Sequence, residues 1–192
     1  MSADFLKNFN WIDILLAVIF ARIIFIGFKR GVVVEFFKLF AAAFAVFINL
    51  HYFSSLSRVF QNIVHLPQGF ADFISFGLLW IIVTLIFKFI RDGFLILLKI
   101  EAHSTFERWG ALIFSLLRAV LIGSLTILFL RVFNIEYFNA NLEQSLLSKR
   151  LAKISPQLYE KSLNGFISKF FPTEELNADA MKLQEFDAKD KK

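Results

Sequence analysis

The feature that most constrains this chain is a pair of long apolar runs separated by a short basic turn at residues 29–31. Between residues 14 and 28 almost every side chain is apolar, and Arg22 is the only charged one. With the preceding Trp11 and Ile12, the first run approaches the roughly 20 residues that an α-helix needs to cross a hydrocarbon core. A helix on the surface of a soluble protein would show a polar face at 3.6-residue spacing, and this run shows none. We therefore predict a transmembrane hairpin.

Long apolar runs recur further along the chain, which is 57% hydrophobic over its 192 residues. They predict an all-α integral membrane protein with four transmembrane helices and short interfacial amphipathic helices. The predicted spans are residues 11–29, 32–52, 70–90 and 109–130, within a transmembrane domain of residues 1–133. The helical spacing of apolar residues within 53–69 predicts a short amphipathic helix on the membrane surface. The short apolar run 93–100 either continues the third helix or lies on the surface.

The character of the chain changes after the fourth span. Residues 134–171 carry charges of both signs among apolar residues at helical spacing, which predicts an amphipathic helical C-terminal segment. Within this segment, Pro156 is expected to start or kink a helix. Residues 172–192 are charged and weakly apolar, and we predict that they are disordered.

Basic residues concentrate around the first and third connections between the spans. They are Lys29, Arg30, Lys88, Arg91, Lys99 and Arg108. Because cytoplasmic loops carry an excess of lysine and arginine, we predict that these two connections are cytoplasmic and that both termini lie on the other side. The N-terminal segment contains Asp4, and no small-residue cleavage site follows the first apolar run. We therefore expect the first helix to remain as an anchor rather than to be a cleaved signal peptide.

Several function classes lack the residues they would need. The chain has no cysteine, which excludes disulfides, thiolate metal sites and cysteine nucleophiles. His51, His65 and His103 have no second ligand at metal-binding spacing, so no metal site is expected. No nucleophilic triad, Walker loop or dinucleotide-binding glycine motif occurs. The net charge of +5 comes without a basic patch interleaved with aromatic residues, which argues against nucleic acid as a partner. We expect no cofactor and no enzymatic activity.

Charged residues within the predicted spans are the candidate functional residues. An unpaired charge there costs about 2.5–3.5 kcal/mol on insertion scales, so we predict that Glu35 pairs with Arg118. We favour a structural ion pair, or an Arg118 side chain that extends to the headgroups, over a gating or proton-coupled pair. Lys38, three residues after Glu35, is the competing partner. Arg22 is expected to extend to the headgroups. Asp13 is expected to cap the first helix at the interface rather than to act as an intramembrane carboxylate.

A stripe of small residues on the fourth helix is the most specific packing signal. Its members recur every four residues and are Ala111, Ser115, Ala119 and Gly123. Lipid gives helices no hydrophobic reason to associate, and small residues let two backbones approach closely. We therefore predict that this stripe faces another helix.

Two motifs together resemble the bacterial colicin V production protein (CvpA) family. The first consists of Trp11-Ile12-Asp13 opening the first span, then Arg30-Gly31, Glu35 and Leu39. The second consists of Glu107-Arg108, then Ala111 and Ser115, then Arg118-Ala119-Val120-Leu121-Ile122. Ser145 and Pro156 are similar to a looser feature of the family. The resemblance covers about residues 10–160.

The chain departs from the family pattern in the fourth helix. Where the family commonly has glycines, this chain has Ala111, Ser115 and Ala119. Arg22 and Lys38 also lie outside the pattern. We expect close helix packing to survive without the tightest crossing.

The resemblance implies a four-span protein of the bacterial inner membrane. In such a membrane, the orientation predicted from the basic residues puts both termini in the periplasm. It also implies a role in colicin V production and envelope homeostasis, with no enzymatic activity to carry over. The first hypothesis is a non-enzymatic factor in the lipid bilayer that acts through self-association or other membrane proteins. The alternative is a small oligomeric transporter or channel-like protein with Glu35, Arg118 and Arg22 along a polar path. Measured flux across a bilayer would distinguish the two.

Overall fold

The computed structural model describes residues 10–98, 105–170 and 175–183. Four long helices dominate the described chain: α1 (Trp11–Lys29), α2 (Val32–Val64), α3 (Gln68–Leu98) and α4 (Thr105–Val132). Each is long and apolar enough to cross a membrane, and the described residues contain no strand. The predicted all-α membrane fold is confirmed.

The second helix is longer than predicted. Residues 53–64 do not form a separate interfacial helix but continue α2 without a break. At about 1.5 Å per residue a helix of 33 residues is about 50 Å long, well beyond a hydrocarbon core of about 30 Å. The helix ends at His65, whose backbone is left-handed with φ of 56°, and Pro67 follows shortly after. The extra turns persist because the C-terminal part of the chain packs beside them.

The third and fourth helices also extend beyond their predicted ends. The run 93–98 continues α3, which decides between the two alternatives for this stretch. Residues 99–104, which contain His103 and Lys99, lie outside the described part of the chain. The central helix is α4, because 44% of its most apolar window is buried, compared with 17% in α3.

Aromatic pairs show how the long helices lie against one another. Phe37 contacts Phe94 and Phe44 contacts Phe87, so α2 and α3 are antiparallel. In contrast, α2 and α4 run in the same direction, since the Phe36 and Phe114 rings meet at one end. The start of α2, the end of α3 and the start of α4 therefore share one end of the bundle.

Two apolar clusters form the core. The larger lies between α2, α3 and α4 and includes Val46, Leu50, Phe76, Leu125 and Leu128. The smaller joins α1 and α4 to the C-terminal segment through Ile12, Leu16, Ile127, Leu142 and Leu151. Burial of these side chains stabilises the arrangement of α1 and holds the C-terminal segment on the bundle.

The C-terminal segment folds as a chain of short helices that we call the cap. It comprises α5 (Glu136–Gln144), α6 (Leu146–Leu151), α7 (Ile154–Ser162), a π-helical turn (Leu163–Ile167) and α8 (Ser168–Phe170). The cap packs where α1 begins and α4 ends, opposite the basic connections. Pro156 lies in the first turn of α7, where its missing N–H is tolerated.

Part of the tail is folded, which differs from the predicted disorder. Residues 178–182 form helix α9, and Ala180 is buried in the larger core cluster. The Asn177 side chain donates hydrogen bonds to the carbonyl oxygens of Leu50 and His51 at 2.9 and 3.1 Å. These contacts hold the tail on α2 despite its polar composition. The rest of the predicted disordered segment, 172–174 and 184–192, lies outside the described residues.

Candidate functional site: a buried carboxylate with two cations and a junction with the cap

The most buried charge in the bundle is Glu35, in the first turn of α2, with none of its side chain exposed. One carboxylate oxygen, Oε2, lies 2.8 Å from Nη1 of Arg118 on α4. The other oxygen, Oε1, accepts a hydrogen bond from the Lys38 ammonium at 2.6 Å. Arg118 and Lys38, the two partners considered for Glu35 from the sequence, therefore both contact the carboxylate, one at each oxygen.

The two contacts to Glu35 differ in kind. The contact with Lys38 is an aligned hydrogen bond within one helix turn. The contact with Arg118 is an ion pair without hydrogen-bond alignment, and Arg118 Nε has no hydrogen-bond acceptor among the described residues. One anion thus faces two cations, and the cluster carries a net positive charge. The Arg118 side chain is 8% exposed, so its guanidinium sits inside the bundle rather than at headgroups.

A close helix crossing lies directly beside this cluster. Gly27 of α1 is buried against Ser115 of α4, and a Cβ at Gly27 would collide with the Ser115 side chain. The same Cβ would lie 3.6 Å from Cδ of Glu35. Glycine is therefore required at position 27 for α1 to close over the buried carboxylate.

The small-residue stripe of α4 faces α1. Ala111, Ser115 and Ala119 are all at most 1% exposed, and Gly123 is buried. A Cβ at Gly123 would lie 2.5 Å from the Phe20 ring, so α1 also approaches closely there. The stripe is therefore buried within one chain.

Asp13 forms a second buried polar junction, between α1 and the cap. Its side chain is 2% exposed. Asp13 Oδ1 accepts hydrogen bonds from the Ser145 hydroxyl at 2.6 Å and from the Leu147 N–H at 3.1 Å. Its Oδ2 accepts from the Asn10 N–H at 3.4 Å. The Ser145 oxygen in turn accepts from Ser148 N–H at 3.0 Å and so caps α6. One carboxylate thus organises the start of α1 and the start of α6.

Two further polar contacts attach the cap. The Ser124 hydroxyl of α4 accepts a hydrogen bond from Ser155 N–H at 3.0 Å. His51 Nδ1 lies 2.9 Å from the hydroxyl of Tyr159, and that hydroxyl also accepts from Asn177 N–H at 3.1 Å. His51, predicted to be an isolated interfacial residue, is thus part of the attachment of the cap.

The remaining predicted residues contribute no side chain to either buried cluster. Arg22, Arg30 and Arg108 are exposed, so Arg22 does not join Glu35 and Arg118 in a path. Gly31 is the N-cap of α2 with φ of −60°, a backbone conformation that other residues also adopt. In the described ranges, no group of three His, Asp or Glu side chains is placed to hold a metal ion.

Three positions were missed from the sequence. Gly27 is the counterpart of the stripe, and its signal was a lone glycine among bulky residues in an apolar run. Asn177 begins α9, and its side chain accepts from Asp179 N–H at 3.1 Å. An asparagine two residues before an aspartate is a recognisable helix-start signal. Ser145 was noted only as a loose similarity, and its partner is 132 residues away.

Four long apolar helices, internally paired charges and a packed helical cap define a multi-pass membrane protein. The sequence model of the colicin V production protein family matches residues 12–156, and the chain belongs to that family. The suspected family is confirmed, and the match covers both motifs apart from Trp11, together with the cap residues Ser145 to Pro156. Searches of curated proteins and of solved structures found no match to this chain.

Proposed function

We propose that this protein is a non-enzymatic factor of the bacterial inner membrane that supports colicin V-type toxin production and envelope homeostasis through protein partners. The proposal rests on the observation that the buried charges within the membrane helices are paired with one another. Glu35 is fully buried with a cation on each oxygen. Beyond this cluster the buried side chains between the helices are mainly apolar, around Val46, Phe76 and Leu125. They also include the buried polar residues Asn49, Ser75 and Ser124. Such an arrangement stabilises a bundle, and the polar side chains described between its helices do not form a continuous path across it.

The cap is the proposed partner-binding part. It is held on the bundle by Asp13, Ser124 and His51, so it presents a defined surface rather than a loose tail. Because the small-residue stripe of α4 is buried within the chain, self-association would use other surfaces. We place the cap in the periplasm and the basic connections in the cytoplasm, because lysine and arginine concentrate at the cytoplasmic ends of spans.

Site-specific photo-crosslinking in cells tests this proposal. A photo-reactive residue is placed at Glu143 or Gln157, which are exposed on the cap, and at Ile86, which is exposed on the apolar face of α3. Discrete protein adducts from the cap positions, identified by mass spectrometry and absent for Ile86, are the expected result. Folded protein that gives no adduct from either cap position would contradict the proposal.

A transporter is the second candidate, and one observation favours it. Arg118 and Lys38 line a cavity between α2, α3 and α4 that opens to the outside of the bundle. In an oligomer, such cavities from several chains would have to join into a continuous path. Flux measurements on reconstituted protein decide between the two candidates.

A further inference from the structure

A partly open cavity of about 220 Å³ lies between α2, α3 and α4, beside the buried carboxylate. Basic side chains from all three helices line it: Lys38 from α2, Lys88 and Arg91 from α3, and Arg118 from α4. None of the described residues that line the cavity is acidic. The cavity lies toward the end of the bundle that carries the basic connections.

The charges around the cavity do not balance. Glu35 faces both Lys38 and Arg118, and Arg91 is paired with the neighbouring Asp92 at 2.6 Å. The Lys88 side chain is exposed. Four cations and two carboxylates leave two positive charges in excess. In the low dielectric of a bilayer, this excess attracts an anion far more strongly than it would in water.

The walls of the cavity are apolar. They include Phe37, Ala41, Trp80, Phe87 and Ile122. A small hydrophilic anion would leave these side chains without a partner, whereas an amphiphile would cover them. The cavity therefore matches a ligand with an anionic head and a hydrocarbon chain.

We propose that this cavity binds one anionic phospholipid, with its phosphate among the four basic side chains and the start of an acyl chain on the apolar walls. Basic pockets between transmembrane helices on the cytoplasmic side are suited to lipid headgroups. The inference stands independently of the proposed partner-based function.

Native mass spectrometry of the purified full-length protein tests this site. The probes are phosphatidylglycerol, phosphatidylcholine with the same acyl chains, and inorganic phosphate as a competitor. We expect one phosphatidylglycerol to bind at least tenfold more tightly than phosphatidylcholine, and millimolar phosphate not to displace it. Equal affinity for the two lipids would overturn the proposal. Displacement by phosphate would assign the site to the free anion and overturn the lipid proposal as well.

Two variants locate the binding. Lys88→Gln with Arg91→Gln removes two charges from the cavity, and we expect at least a tenfold loss of phosphatidylglycerol affinity. The matched control, Lys149→Gln with Arg150→Gln, removes two exposed charges from the cap and should change affinity less than twofold. Equal losses of phosphatidylglycerol affinity in the two double variants would indicate non-specific attraction to the positively charged surface and would overturn the proposed site.

A third variant leaves every charge in place. Ala41→Leu fills part of the cavity and should weaken lipid binding at least fivefold while the protein stays monodisperse and helical. If the Lys88 and Arg91 variant fails to fold, this variant decides the question. Unchanged lipid binding in Ala41→Leu would show that the acyl chain lies elsewhere, contrary to the proposal.

Discussion

Asp13 and Ser145, which are 132 residues apart in the chain, meet in a buried hydrogen bond of 2.6 Å. The bond joins the first turn of the first membrane helix to the N-cap of a cap helix. A carboxylate buried in this way must have its oxygens satisfied, and the cap supplies two of the three donors. The cap and the membrane domain therefore form one folded unit.

Removing the Asp13 carboxylate should loosen the cap. In Asp13→Ala the Ser145 hydroxyl and the Leu147 N–H lose their acceptor, at a cost of about 1–3 kcal/mol for each buried group left unsatisfied. We expect faster hydrogen exchange at Leu147 and Ser148, with unchanged exchange in the middle of α4. Asp13→Asn retains one acceptor oxygen and should show a smaller effect.

The exposed acid Glu143 on α5 provides the control. Glu143→Ala removes the same charge from the cap without breaking the junction, and it should leave the exchange of α6 unchanged. Equal exchange in the Asp13→Ala and Glu143→Ala variants would show that the Asp13 junction does not hold the cap.

Removing Glu35 should be strongly destabilising. Glu35→Gln leaves Arg118 and Lys38 as uncompensated charges inside the bundle, and breaking one side of a buried pair costs about 3–5 kcal/mol. Unfolding of the purified protein in mixed detergent micelles measures this loss. The double variant Glu35→Gln with Arg118→Gln should be less destabilised than the sum of its two single variants, since their partner charges disappear together.

Arg22→Gln serves as the matched control because it also removes a charge from a membrane helix. Its side chain is exposed, so we expect a change within about 0.5 kcal/mol. Strict additivity of the Glu35 and Arg118 effects would mean that the two residues do not interact energetically.

The close packing of α1 against α4 should depend on Gly27. Gly27→Ala places a methyl group into the Ser115 side chain, and overpacking of this kind costs about 1–3 kcal/mol. Adding Ser115→Gly should restore much of the stability by making room. Gly93 on α3 has nothing within 4 Å of an added Cβ, so Gly93→Ala should be neutral or stabilising in the same unfolding assay. Equal destabilisation by Gly27→Ala and Gly93→Ala would contradict the close crossing of α1 and α4 at Gly27.

Membrane orientation can be measured directly because the chain has no cysteine. Single cysteines at Gln157 on the cap and at Lys29 in the first connection are both exposed. A membrane-impermeant maleimide should label Gln157→Cys in intact cells and Lys29→Cys only after the inner membrane is opened. The opposite pattern would place the cap in the cytoplasm and overturn the proposed orientation.

Local patterns predicted the membrane fold well and predicted the long-range contacts unevenly. The length of the apolar runs was sufficient to predict four spans, because the thickness of a bilayer sets the length of a helix that crosses it. It did not show where α2 ends, since the outer turns of that helix pack beside the C-terminal part of the chain. The cost of an unpaired charge in a membrane helix was sufficient to predict that Glu35 pairs with Arg118. A single sequence could not show that Lys38 binds the same carboxylate.

The contacts of the cap and of the tail helix α9 with the bundle were the least predictable part. Asn177 and Tyr159 stand in segments whose composition is polar and mixed, and their partners on α2 lie more than 100 residues earlier. Nothing in local periodicity encodes such pairs. The stripe on α4 predicted close packing, but the partner helix depended on Gly27, a residue that periodicity does not distinguish from its apolar neighbours.

The most direct test of the central claim is flux of ions and small solutes in proteoliposomes containing wild type, with Glu35→Gln and Arg22→Gln beside it. If the buried charges hold the bundle closed, folded wild-type protein gives no flux above empty vesicles. Flux in wild type that Glu35→Gln abolishes and Arg22→Gln leaves intact would contradict the account. It would make the carboxylate and its two cations the centre of a transport path.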